Sequence, residues 1–326
     1  MREDNGLAWF LRLKPVAFVG TVSYGMYLLN SLCMQDRKSV VFWVDVSGCV
    51  LLVIGLVKVI KEEVPQARGL DKILPFGRLF LAIPMAVFGT EHLTDTAGIA
   101  SIVPKWMPAH TFWAYLVGIA LIAAALSITL KIQARLAATL LGAMLCCFVL
   151  MIHIPNILAS KGDRFLWAVG LRDIAFGGGA FAFAASQMKA RSTNGGQGLA
   201  TVARFFVGIP ALFFGVEHFL HPTFATGVPL QKIMPEWIPG RLFWAYLAGA
   251  VLIASGACLV ANRKTREAAT YLGVMILLLV LFEYLPVLIA SPVDIVSLNY
   301  VFDTLAFSGA ALVLADASGE RTAAGS

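Results

Sequence analysis

Stretches of about twenty residues with no Asp, Glu, Lys, Arg or His recur along this chain. Phe112–Leu130 and Leu242–Ala261 are such stretches, Leu136–Leu158 is broken only by His153, and Ala268–Ala290 only by Glu283. About 20 apolar residues is the length a helix needs to cross a bilayer, and inside the hydrocarbon each backbone N–H and C=O must be bonded within its own segment. These stretches lack the apolar/polar alternation of barrel strands, so they require an all-helical membrane fold. Composition agrees: 59% of the 326 residues are hydrophobic and 13% charged, against roughly half and a quarter in soluble domains.

Ten spans are expected. Two are unique, at about 16–34 and 40–60. Two sets of four follow, at 79–93, 112–130, 136–158 and 165–188, and then at 205–220, 242–261, 268–290 and 297–315. The domain reading is an N-terminal hairpin (1–70), a first four-helix module (71–190), a polar Gly-rich linker (191–198), a second module (199–316) and a disordered tail (317–326). The first helix of each module is short for a span and carries a mid-helix proline, Pro84 or Pro210, which should kink it.

The two modules repeat one another. Pro84, Gly89, Glu91 and His92 return 126 residues later as Pro210, Gly215, Glu217 and His218. After a five-residue insertion the offset becomes 131, and Trp106, Pro108, Phe112, Trp113, Tyr115 and Gly118 return as Trp237, Pro239, Phe243, Trp244, Tyr246 and Gly249. With an even number of helices per module, both copies insert in the same sense, so the expected architecture is two parallel four-helix bundles behind a hairpin.

The net charge of +6 is spread over short loops with no basic run, which excludes nucleic acid as a partner and leaves the lipid bilayer. Seventeen Lys and Arg residues, among them Arg12, Lys14, Lys58, Lys61, Arg68, Lys131, Arg135, Arg263, Lys264 and Arg266, fall on one side of the expected topology. The other side holds fewer, at Arg37, Lys38, Lys105, Lys161, Arg164, Lys232 and Arg241. The positive-inside rule then puts both termini in the cytoplasm of a bacterial inner membrane and the Glu-His pairs at the outer face. The opening MREDNGLAWFLRLK has its apolar run broken by Arg12 and Lys14, so no removable signal peptide is expected.

Ionisable residues gather toward the outer ends of the helices. In the first module they are Glu91, His92, His153, Arg172 and Asp173; in the second, Glu217, His218, Glu283 and Asp303. A charge this deep costs about 2.5–3.5 kcal/mol on insertion scales, so each should face the bundle interior and pair there. Three roles fit: interhelical ties, a pocket for a small polar or quinone-like molecule, or a proton or ion path. The copies differ here, since His153 aligns with Tyr284 and Arg172 with Asp303. Within the second module Glu283 and Asp303 have no cation beyond His218, which makes that module the better candidate for an active carboxylate.

No metal site is expected. His218 and His221 have helical spacing, but Pro222 follows at once and Asp95 occupies the matching place in the first copy. No pair of histidines is arranged for haem. Cys33, Cys49, Cys146, Cys147 and Cys258 lie in apolar stretches and read as buried structural thiols. The loops around Trp106 and Trp237 read as interfacial aromatic belts with rigid proline turns.

The order Gly-x-Glu-His, Pro-x-Trp-x-Pro, Phe-Trp-Ala-Tyr, Arg-x-Ala-Ala (Arg135–Ala138, Arg266–Ala269) and a Gly-rich closing helix resembles the DoxX-like family of four-helix membrane proteins across both modules. The family is named for a subunit of a thiosulfate:quinone oxidoreductase, and most members have no assigned activity. The resemblance implies a protein that binds or passes a small molecule, or serves a complex with other membrane subunits, and not a defined enzyme. A quinone-linked oxidoreductase subunit is the alternative, with quinone the one cofactor left open. Near the N-terminus, VAFVGTVSYGMYLLN resembles the closing stretch of acyltransferase-3 type membrane proteins. Asn30 stands where that family has His, so acyl transfer is not implied.

Overall fold

The computed structural model describes residues 50, 52–188, 195–224, 234, 236–290 and 295–324. The elements are α1 (Gly77–Thr94), α2 (Thr96–Ile102), α3 (His110–Leu130), α4 (Ala134–Phe148), α5 (Ile154–Ala159), α6 (Arg164–Ser186), α7 (Gly195–Leu220), α8 (Arg241–Val260), α9 (Thr265–Leu279), α10 (Leu285–Ala290) and α11 (Ile295–Ala324). The protein is all-helical across these residues, and eight helical stretches are long and apolar enough to cross a membrane. The expected span at 16–34 and most of that at 40–60 lie outside the described residues. What is described of the second, 52–58, is helical and continues into a π-turn, Val59–Glu63.

Helix ends differ from expectation in three places. The module-opening helices are not short: a 3-10 stretch, Gly69–Phe76, leads into α1 to give a span of Gly69–Thr94, and α7 begins at Gly195, inside the stretch read as linker. At the other end α11 runs to Ala324, through most of the expected tail.

Local chemistry sets the joints between helices. Connections α3–α4 and α8–α9 each use two residues in the left-handed region, Lys131 and Gln133 in one, Asn262 and Lys264 in the other. Left-handed residues reverse the chain within a few positions, so the flanking helices run antiparallel. Ala109 and Gly240 adopt the same region just before α3 and α8. Behind each, an indole N–H turns back to hold the proline loop: Trp113 Nε1 donates to the Pro108 carbonyl at 2.9 Å and Trp244 Nε1 to Pro239 at 3.1 Å.

A π-turn joins α4 to α5 at Val149–His153, and another joins α9 to α10 at Val280–Tyr284. Each is followed, after one residue, by a proline, Pro155 or Pro286. A proline inside a helix has no N–H to donate and its ring collides with the carbonyl four residues back. Widening one turn, so that Ile154 N–H reaches the Val149 carbonyl and Leu285 N–H reaches Val280, lets the helix continue. These joints, the indole bonds and the left-handed residues all recur at an offset of 131.

Tertiary packing departs from two self-contained bundles. Within the first set α1 packs on α3, α3 on α4 and α4 on α6, and within the second α7 packs on α8, α8 on α9 and α9 on α11. The first and fourth helices of a set barely meet. Instead α1 packs against α11 and α7 against α6, while α6 and α11 also pack on each other. Glycines permit the exchanged contacts. A Cβ on Gly309 would stand 2.4 Å from the Leu81 backbone nitrogen, and at the matching place a Cβ on Gly178 would stand 2.8 Å from Phe206 Cβ. Small residues at such crossings are how helices gain close packing in lipid, where burial from water supplies no drive. Burial separates the layers: the most apolar stretches of Val296–Gly319 and Gly69–Thr94 are 94% and 89% buried, whereas that of Ala134–Ala159 is 22% buried, with Leu136, Leu140, Leu150 and Leu158 turned outward. Cys147 is exposed on that outer helix, contrary to the buried-thiol expectation, while Cys146 and Cys258 are half-buried.

Candidate functional site

Two turns into α6 and two turns into α11, equivalent positions of the two sets face each other. Arg172 Nη1 donates to Asp303 Oδ2 at 2.6 Å, and these residues are 131 apart. Two turns further along the same contact, a Cβ on Gly179 would lie 2.6 Å from Ala310, again 131 residues away. α6 and α11 therefore run parallel and meet through like positions. Two arginines or two aspartates would repel at such a place; one of each makes an ion pair.

Further partners converge on this pair. Arg172 Nε also donates to Asp173 Oδ1 at 3.3 Å, and His153, at the end of the first π-turn, donates from Nε2 to Asp173 Oδ2 at 2.8 Å. Glu91, on α1, lies within electrostatic range of both Arg172 and Asp303. Its position follows from the exchanged packing, because α1 lies against α11. Asp303 is 4% exposed and Asp173 8%. Among the described residues Glu91 Oε1 and Asp303 Oδ1 are buried without a hydrogen-bond partner. Around the second π-turn, Tyr284 stacks on Tyr300 with ring centroids 5.6 Å apart, near Glu283 and Asp303, and its buried hydroxyl likewise has no hydrogen-bond partner among the described residues.

The expected two clusters, one per module, are thus replaced by one seam that joins the modules. Asp303, expected to have no cation beyond His218 within its own module, takes its partner from the other, where Arg172 supplies the charge. Glu217 behaves in the same way: its nearest cation is Arg164 of α6, with Nη1 3.6 Å from Glu217 Oε2, and His221 Nε2 is 3.8 Å from the same oxygen.

His92 and His218 do not enter the seam as charged partners. Each ring lies against the carbonyl four residues back, His92 Nδ1 2.7 Å from Phe88 O and His218 Nδ1 2.5 Å from Phe214 O. A carbonyl can only accept, so Nδ1 carries the hydrogen. His218 is fully buried, with Nε2 unbonded among the described residues. His221 lies past the end of α7 with its ring edge-on to Phe224.

Beside the seam a cavity of about 240 Å³ lies between the start of α6 and the end of α7, lined by Asp163, Arg164, Ala168, Phe213, Phe214 and Glu217. Arg164 and Asp163 were not among the sequence candidates, Arg164 having been read as a loop charge. The signal for it was spacing, since Arg164, Ala168 and Arg172 follow at intervals of four on one helix.

A family profile described as a domain of unknown function, DUF8561, matches residues 81–172, from the second turn of α1 to the third turn of α6. No curated protein and no solved structure matches the chain.

Proposed function

We propose that this chain is a DoxX-like inner-membrane protein, descended from duplication of a four-helix unit, that binds or passes a small molecule, with the Arg172–Asp303 seam as its working centre. Both termini are cytoplasmic in this reading, so the cavity at Arg164 and Glu217 opens toward the outer face. The duplication is supported by the π-turns, left-handed residues and indole bonds that recur at one offset. The DoxX-like assignment rests on the motif order alone.

The observation that carries the functional part is the seam's incomplete satisfaction. A tie that only held helices together would bond its acceptors, because a buried acceptor without a partner costs about 1–3 kcal/mol. Asp303 Oδ1 and Glu91 Oε1 remain without hydrogen bonds among the described residues while facing one arginine. Carboxylates that share a cation in a low-dielectric seam can take up and release a proton as a ligand or a neighbouring charge moves, which suits passage coupled to protons. The π-turns beside His153 and Tyr284 are of the kind often found at functional sites.

The test is proton entry into proteoliposomes driven by a potassium diffusion potential and followed with an internal pH dye. Wild-type protein should raise entry above protein-free vesicles, and Asp303→Asn, which preserves shape and keeps one acceptor oxygen for Arg172, should remove most of that increment. Wild-type vesicles no leakier than empty ones, or an Asp303→Asn variant as active as wild type, would leave the seam as a structural tie.

A further inference from the structure

The geometry of the cavity between α6 and α7 points to a binding site for a small zwitterion, a molecule with an ammonium group and an acidic group close together on an apolar frame. Arg164 Nη1 and Glu217 Oε2 border this cavity of about 240 Å³, and at 3.6 Å they are too far apart for a hydrogen bond. Both atoms are buried, and neither has a hydrogen-bond partner among the described residues. The Arg164 guanidinium rests over the Phe224 ring, 4.2 Å from its centroid, and is held in place by that face.

Three ligand types can be compared. A lone cation would draw Glu217 away and leave Arg164 buried without compensation. A lone anion would do the reverse. A zwitterion gives the guanidinium an anion and the carboxylate an ammonium, and adds no net charge to the site. Asp163 does not duplicate Glu217: its Oδ1 already accepts the Phe165 N–H at 2.9 Å, and the residue is exposed. Ala168, Phe213 and Phe214 form an apolar wall behind the charges, the usual make-up of a pocket in which a few polar groups orient a largely apolar ligand. A free amino acid and the phosphoethanolamine headgroup of a lipid share this chemistry.

The inference deepens the reading of the seam, on which it rests for the fate of the ligand; binding itself is measured without it. The experiment is calorimetric titration of the full chain in detergent with L-leucine and with dihexanoyl phosphatidylethanolamine, against butylammonium and butyrate as single-charge probes. At least one zwitterion should bind about tenfold or more tightly than either single-charge probe, and Arg164→Gln or Glu217→Gln should each weaken it by about tenfold or more. Saturation by L-leucine alone assigns a free solute, and by the short-chain lipid alone a headgroup. No saturation by either at millimolar concentration, or single-charge probes that bind as well, overturns the site. Should both charge variants fail to fold, Ala168→Leu fills the cavity with its charges intact, and unchanged binding in that variant also overturns it. Zwitterion binding with no proton entry into wild-type vesicles sinks the seam reading alone, and proton entry without binding sinks this one alone.

Discussion

Replacing Arg172 by leucine should be the most damaging single change in the interior, and the structure says why its partner's loss is milder. Arg172 serves two aspartates, Asp303 at 2.6 Å and Asp173 at 3.3 Å. Asp173 has a second partner in His153 at 2.8 Å, whereas Asp303 has no other ion-pair partner among the described residues. Arg172→Leu therefore leaves Asp303 as an uncompensated buried charge, at a cost of about 3–5 kcal/mol. Asp303→Leu leaves Arg172 bonded to Asp173, so the loss should stay near 1–3 kcal/mol. In the double variant the orphaned carboxylate is gone, and its cost should fall short of the sum of the singles by about 2 kcal/mol. Equilibrium unfolding in mixed micelles titrated with SDS, followed by tryptophan fluorescence, gives all three values. Equal single-variant losses, or additivity to within about 0.5 kcal/mol, would refute the claim that one arginine organises the seam.

Two further substitutions probe the frame. Gly309→Ala puts a methyl 2.4 Å from the Leu81 nitrogen, where backbone must give way, and should cost about 1–3 kcal/mol or more in the same unfolding experiment; Gly198→Ala, with open space around it, should leave stability nearly unchanged. Equal effects would mean that the α1–α11 crossing is looser than drawn. The second concerns pH. Glu63 lies ahead of the first described span and accepts from Arg78 at 2.5 and 2.7 Å and from Lys131 at 3.2 Å. Burial pushes its carboxyl up, but the hydrogen bonds and charges of Arg78 and Lys131 outweigh that and hold it below the usual carboxylate range. The unfolded chain then takes up the proton first. Glu63's contribution is therefore complete above the ordinary value of about 4.3 and fades as pH falls through the lower folded value. Melting temperatures of wild type and Glu63→Gln should diverge at neutral pH and converge in acid, and a constant gap from pH 7 to 3 would contradict the assignment.

Much of the candidate site was legible as a set of residues and illegible as an arrangement. Glu91, His153, Arg172, Asp173 and Asp303 stood out because a charge in an apolar span is costly wherever the helix goes. Their partners did not stand out. Assuming that each set of four closes on itself left Asp303 with no cation beyond His218, whereas its partner is Arg172 of the other set. The exchange of α1 and α7 between sets turns on contacts such as Gly309 against Leu81 and Gly178 against Phe206, between residues more than a hundred and fewer than thirty positions apart respectively. Arg164 was passed over because a basic residue at a helix start ordinarily meets water, and only the end of α7 folded beside it makes it a lining residue.

By itself the sequence determined the elements: apolar stretches of bilayer length must be helices, because no other open structure bonds its own backbone in hydrocarbon. Only the tertiary structure decided which helices meet, because the neighbours of a helix in lipid are chosen by the fit of small residues across a crossing, a property of two surfaces together. That choice also sets which charges meet. Arg172 and Asp303, 131 positions apart, lie face to face, a place where two like charges would repel and one of each makes an ion pair.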